Sequence, residues 1–132
     1  MLQNEIIKET VSGDAGETLV IVNLSYPTLP KKKIPFQKEP LRAHFVPFYR
    51  RAAEGFLDFA RKELAQKAKK NPAGTPPCGA VLRWHLQSDT DETLCISVEG
   101  HVFDGTETFA MMADERTWNK KTGLLMQNQK ST

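Results

Sequence analysis

The chain has 132 residues, 39% hydrophobic and 26% charged, and its 18 basic against 16 acidic residues leave a net charge of +2. That length fits one domain, which buries roughly two-thirds of its unfolded surface and needs no metal or disulfide staple. The near-neutral balance creates no overall field for nucleic acid or anionic lipid, and no apolar run approaches the ~20 residues that span a bilayer.

The first residues, Met1–Val11, lack both a basic n-region and a continuous apolar h-region, so they do not read as a secretory signal. As written, the chain reads as cytoplasmic; trimmed of a signal or anchor, it would be extracytoplasmic. Glu5–Val11 is a candidate strand, ended by the turn cluster Ser12-Gly13-Asp14-Ala15-Gly16. Leu19–Tyr26 alternates with period two, placing Val20, Val22, Leu24 and Tyr26 on one face, and completes an N-terminal hairpin. Pro27–Pro40 contains four prolines and Lys31-Lys32-Lys33, which marks a solvated connector.

One long helix follows. Leu41, Phe45, Phe48, Ala52, Phe56, Phe59 or Ala60, and Leu64 recur at three- and four-residue steps. Pro47 fits a first turn, so the regular helix is expected to start near His44–Val46. Lys67, Lys69 and Lys70 suit the negative end of the helix dipole before Asn71-Pro72 stops it. After a Pro/Gly loop, Ala80–Gln87 alternates with Leu82, Trp84 and Leu86 on the core face. Ser88–Asp91 makes a turn, Leu94, Ile96 and Val98 continue the core face, and Asp104-Gly105 makes another turn. Thr106–Trp118 is the last strand, with a bulge expected because Phe109, Met111 and Met112 do not share one parity. The order β-β-α-β-β-β predicts an α+β domain: an antiparallel sheet of about five strands with one long helix on one face.

Several stretches carry a family likeness: Leu24-Ser25-Tyr26-Pro27, Phe48-Tyr49-Arg50-Arg51 before Phe56, Leu94-Cys95-Ile96-Ser97-Val98, and Thr117-Trp118-Asn119-Lys120-Lys121-Thr122-Gly123. In these the chain resembles the domain of unknown function shared by RsiV-type anti-sigma factors and PdaC-type peptidoglycan deacetylases. The likeness corresponds to the first half of that region. It departs at Phe103–Glu107, where relatives carry a Gly-Gly-Ala-His-Gly-like turn and this chain keeps one glycine and no histidine. The resemblance implies a non-catalytic sensing or binding module. In RsiV-type proteins the extracytoplasmic portion binds lysozyme, a property not carried over to this chain.

Chemical motifs are sparse. Cys78 and Cys95 fall about six residues out of step on one hairpin, roughly 20 Å apart, which leaves two free thiols suited to a reducing compartment. His85 and His101 share the polar sheet face but lie about 20 Å apart by the same count, too far to share an ion. His85 with Cys95, or His101 with Cys78, supplies only two ligands. Neither metal nor cofactor is assigned. There is no Gly-x-Ser-x-Gly elbow and no Cys/His signature. Glu99, Asp104, Glu107, Asp114 and Glu115 gather on the last hairpin; a pair of them would make the alternative reading, a small hydrolase-like enzyme. The lysines of the connector and helix end lack an aromatic-interleaved partner motif, so nucleic acid is not a predicted partner.

The candidate binding surface is the sheet face opposite the helix, with Arg83, His85, Glu99 and His101, extended by Asp104 at the turn and Trp118 at the strand end. The leading reading is a non-enzymatic binding or sensing module for a protein or cell-envelope ligand. Self-association as a homodimer through a sheet edge or face is a further reading.

Overall fold

A computed structural model describes residues 2–30 and 40–126. The first two strands, β1 (Gln3–Ser12), with Ile7, Glu9 and Val11 half-buried on one face, and β2 (Thr18–Thr28), with alternating apolar residues, pair antiparallel as expected. Val20, Val22 and Leu24 are buried on one face of β2 while Ile21 and Asn23 are exposed on the other. Pro27 lies in β2, not in a connector. It sits past Leu24↔Leu82, the last pair joining β2 to its other neighbour, where the ladder is open on one side and tolerates a residue without an N–H. Lys31, Lys32, Lys33 and Lys38 of the predicted connector lie outside the described residues.

The helical segment begins at Pro40, earlier than the sequence suggests. It runs as α1 (Pro40–Phe59), a π-turn (Ala60–Leu64) and α2 (Ala65–Lys70). Pro40 opens the helix, where its missing N–H is harmless, and Pro47 lies inside it. The carbonyl Pro47 deprives of a donor belongs to exposed Ala43, within reach of water. The buried stripe is Phe45, Tyr49, Ala53, Phe56, Ala60 and Leu64, in steps of four, four, three, four and four residues. Those steps outrun a 3.6-residue turn, and the wider π-turn brings Ala60 and Leu64 back onto the sheet. Phe48 and Ala52, expected in the core, are only partly buried, on the flank of this stripe.

The remaining strands are β3 (Cys78–Asp89), β4 (Thr93–Phe103) and β5 (Thr108–Asn119), and the sheet order is β1-β2-β3-β4-β5. The sheet is mixed rather than purely antiparallel: β2 and β3 pair parallel from Val20↔Cys78 to Leu24↔Leu82, and the other pairs are antiparallel. The reason is the connection, because a strand that returns through a helix re-enters alongside its predecessor in the same direction. Beyond Leu82, β3 loses β2 as a neighbour. Trp84 is therefore half-buried, its indole N–H donating to Asn4 Oδ1 at 2.7 Å, and Leu86 is 48% exposed rather than in the core. The expected bulge is present: Gly100↔Met112 is followed by His101↔Ala110, which leaves Met111 unpaired. The helix seats closely on β4 at Gly100, where an added Cβ would lie 2.6 Å from the Phe56 ring.

Candidate functional site

The cross-strand register decides what the predicted surface can do. On the face away from the helix, Arg83 stands opposite Glu99, His85 opposite Ser97, and His101 opposite Val81. Arg83, His85 and Glu99 are exposed, and Gln87 Nε2 donates to Ser97 Oγ at 2.7 Å. His85 and His101 are four positions apart along the ladder, roughly 13 Å, closer than the sequence count because the hairpin turns later, at Thr90–Glu92. Cys78 is packed in the core under the helix, on the opposite face from His101. Cys95 is opposite Ser88, ten positions along β3 from Cys78, and both thiols are free. Among the described residues, no three His, Cys, Asp or Glu side chains gather as metal ligands would.

The carboxylates of the last hairpin do not converge. Glu99 faces away from the helix, whereas Asp114 pairs with buried Val98 on the helix side and binds Arg116 Nε at 2.9 and 3.0 Å. Asp104 is committed to its turn: its Oδ1 accepts from the Glu107 N–H at 3.0 Å and from the Thr106 N–H and hydroxyl at 2.9 Å each. Those donors, the Glu107 and Thr106 backbone first, hold its carboxyl down at about 2. Asn71 Nδ2 donates to the Asp104 carbonyl, tying the turn to the helix end.

Trp118 lies on the helix side of the sheet, off the predicted face. It is 2% exposed and packs with Phe45, Phe48 and Tyr49 at ring-centroid distances of 5.5 to 5.9 Å. Its indole N–H donates to Tyr49 Oη at 3.0 Å, and burial pushes the Tyr49 phenol up to about 12. The Arg116 guanidinium sits 4.4 Å from the centre of the Phe48 ring.

Beside this cluster is a groove of about 700 Å³ that the sequence reading did not identify. One wall is a flank of α1 formed by Ala43, His44, Pro47, Phe48, Arg51 and Ala52; the other is Trp118 with Gly123, Leu124 and Leu125. The second wall is held by the closing turn. Asn119 Oδ1 accepts from the Lys121 and Thr122 N–H groups, the Gly123 N–H donates to the Asn119 carbonyl at 2.7 Å, and the Asn119 N–H to the Leu124 carbonyl at 2.9 Å. Leu125 then bridges Trp118, so the chain turns back along the edge of β5. Gly123 adopts φ +77 and lies against Pro40, where a side chain would overlap the Pro40 carbonyl. Leu124, Leu125 and Met126 remain 54%, 42% and 43% exposed around the opening. Among the described residues the lining is mostly apolar, with two basic side chains, no carboxylate and no acid/base pair, so it can hold an apolar group. The signal available in the sequence was the width of the helix's apolar stripe. Phe48 and Ala52 exceed what the core uses.

No family model matches the chain, and no curated protein matches it. Solved structures do. A DUF3298 family protein from Pseudomonas aeruginosa is 13% identical, with a TM-score of 0.61, covering 96% of this chain and 54% of that one. A DUF3298 family member from Bacteroides fragilis is 12% identical, with a TM-score of 0.51, covering 96% of this chain and 58% of that one. The chain therefore spans little more than half the length of these structures, and the likeness is one of fold. DUF3298 is the domain of unknown function found in RsiV-type proteins, so the fold likeness and the sequence motifs point the same way.

Proposed function

We propose that this chain is a non-enzymatic binding module that takes a segment of a protein partner into the groove between α1 and the Asn119–Met126 turn. The supporting observation is the groove itself: a concave, largely apolar site rimmed by exposed leucines, with no carboxylate among the described residues of its lining. Its volume of about 700 Å³ is that of a site for several side chains. The carboxylates that a hydrolase would need are spread over a turn and both sheet faces, which favours binding over catalysis. The sheet face with Arg83, His85, Glu99 and His101 is the secondary surface of this reading.

The test is a peptide-display selection on the immobilised full chain, with every enriched clone retested on Leu125→Ser and Ala52→Gln variants. Leu125 is exposed and Ala52 lies on a helix flank, so both variants keep the fold, which circular dichroism verifies. Clones that lose binding to both variants place the site in the groove. Clones that bind wild type and variants alike overturn it.

A further inference from the structure

We infer that the groove selects an acidic–apolar protein segment, in which an apolar side chain enters the slot and a neighbouring carboxylate meets Arg51 and His44. This rests on the reading of the groove as a binding site and adds the chemistry of its ligand.

The charge of the lining is one-sided. Among the described residues, Arg51 and His44 are the only ionisable side chains in the lining, and both are exposed. Arg116, the other cation beside Phe48, is already engaged by both Asp114 oxygens. Arg51 makes no ion pair or hydrogen bond with a described residue, so its guanidinium is available for a forked pairing with an incoming carboxylate. The helix adds to this bias. His44 and Ala43 stand at the N-terminal end of α1, whose first turn carries no acidic residue, and the dipole there favours negative charge. A basic segment would find no counter-charge among the described lining residues and would face Arg51. The polar sheet face offers no such preference, because there Arg83 is opposed by Glu99.

Three fluorescein-labelled peptides test the inference on the full chain by anisotropy: Gly-Ser-Leu-Glu-Phe-Glu-Leu-Ser-Gly and its versions with both Glu replaced by Gln or by Lys. The Glu peptide is expected to bind roughly tenfold tighter than the Gln peptide, the scale of one charge-assisted hydrogen bond at a partly exposed site, and the Lys peptide weakest. Arg51→Gln should abolish the Glu advantage, while Leu125→Ser should weaken the Glu and Gln peptides alike. Equal binding of Glu and Gln peptides, or a Glu advantage that survives Arg51→Gln, overturns the ligand chemistry. If Leu125→Ser still weakens binding in those cases, the groove reading stands without it. Absence of binding by all three peptides also overturns the acidic–apolar assignment, and the display selection then judges the groove independently.

Discussion

The Trp118 indole N–H donates to the Tyr49 hydroxyl across 3.0 Å inside the core, joining the last strand to the middle of α1. The bond fixes the aromatic cluster that forms the inner end of the groove. Tyr49→Phe would leave a buried donor without a partner, at a cost of about 1–3 kcal/mol in urea unfolding. Trp118→Phe removes the donor and part of the packing. The double variant should be less unstable than the sum of the two, because the unpaired indole exists in only one of the singles.

The buried Tyr49 phenol has a pH signature. Burial first, with the nearby Asp114 charge, raises the Tyr49 phenol above its ordinary value to about 12, although the indole bond pulls the other way. The folded state therefore holds the proton more tightly than the unfolded chain. That contribution is complete below the unfolded value of about 10 and is lost as pH rises through the folded one. Absorbance at 295 nm should show tyrosinate forming above the usual range, with unfolding accompanying the final step. Tyr26, also raised by burial, should titrate late as well.

Gly123 and Gly16 both have positive φ, +77 and +84, but only Gly123 lies against another backbone. Gly16→Ala should cost about 1–2 kcal/mol, the penalty of a left-handed L-residue. Gly123→Ala should cost clearly more, because its Cβ also overlaps Pro40. Chemical unfolding of the two variants side by side reads this difference. Equal losses would mean that the closing turn does not seat on the start of α1.

Asp104 should make the protein acid-sensitive. Its carboxyl is held low by the Glu107 and Thr106 donors, so its contribution is present above the unfolded value of about 4 and disappears as pH falls toward about 2. Asp104→Ala should lower the thermal midpoint at neutral pH and lower it much less near pH 2. A variant equally destabilised at both values would assign the effect to something other than ionised turn hydrogen bonds.

Cys78 and Cys95 are 1% and 8% exposed, and burial raises the Cys78 thiol. Because the thiolate is the reactive form, neither should react promptly with Ellman's reagent in the native protein. Two thiols should react once urea unfolds it. Rapid labelling of one thiol under native conditions would mean that the sheet opens locally.

The strands and turns were legible because their causes are local. The alternation from Val20 to Leu24, the glycine turn before it, and the parity break at Met111–Met112 each correspond to an observed feature. The helix was legible by its period, but its start was misplaced. Pro47 reads as a first-turn residue, whereas exposure of the Ala43 carbonyl lets it lie inside. The direction of β3 depended on the helical crossover, which strand alternation does not encode. The predicted site was only half a site. Arg83, His85, Glu99 and His101 share a face, but Asp104 is engaged in its own turn and Trp118 packs on the helix side, where it walls the groove.

By itself the sequence determined the element order, the faces of the strands and the motifs shared with a domain of unknown function, because periodicity and turn chemistry act over a few neighbours. Only the tertiary structure decided that β2 and β3 run parallel, and that residues far apart in sequence, Phe48 on the helix and Leu125 after the last strand, wall one groove. The physical reason is that a helical stripe states how much apolar surface is present and not what covers it. Tyr49 and Ala53 are covered by the sheet, and Phe48 and Ala52 are left to line the opening.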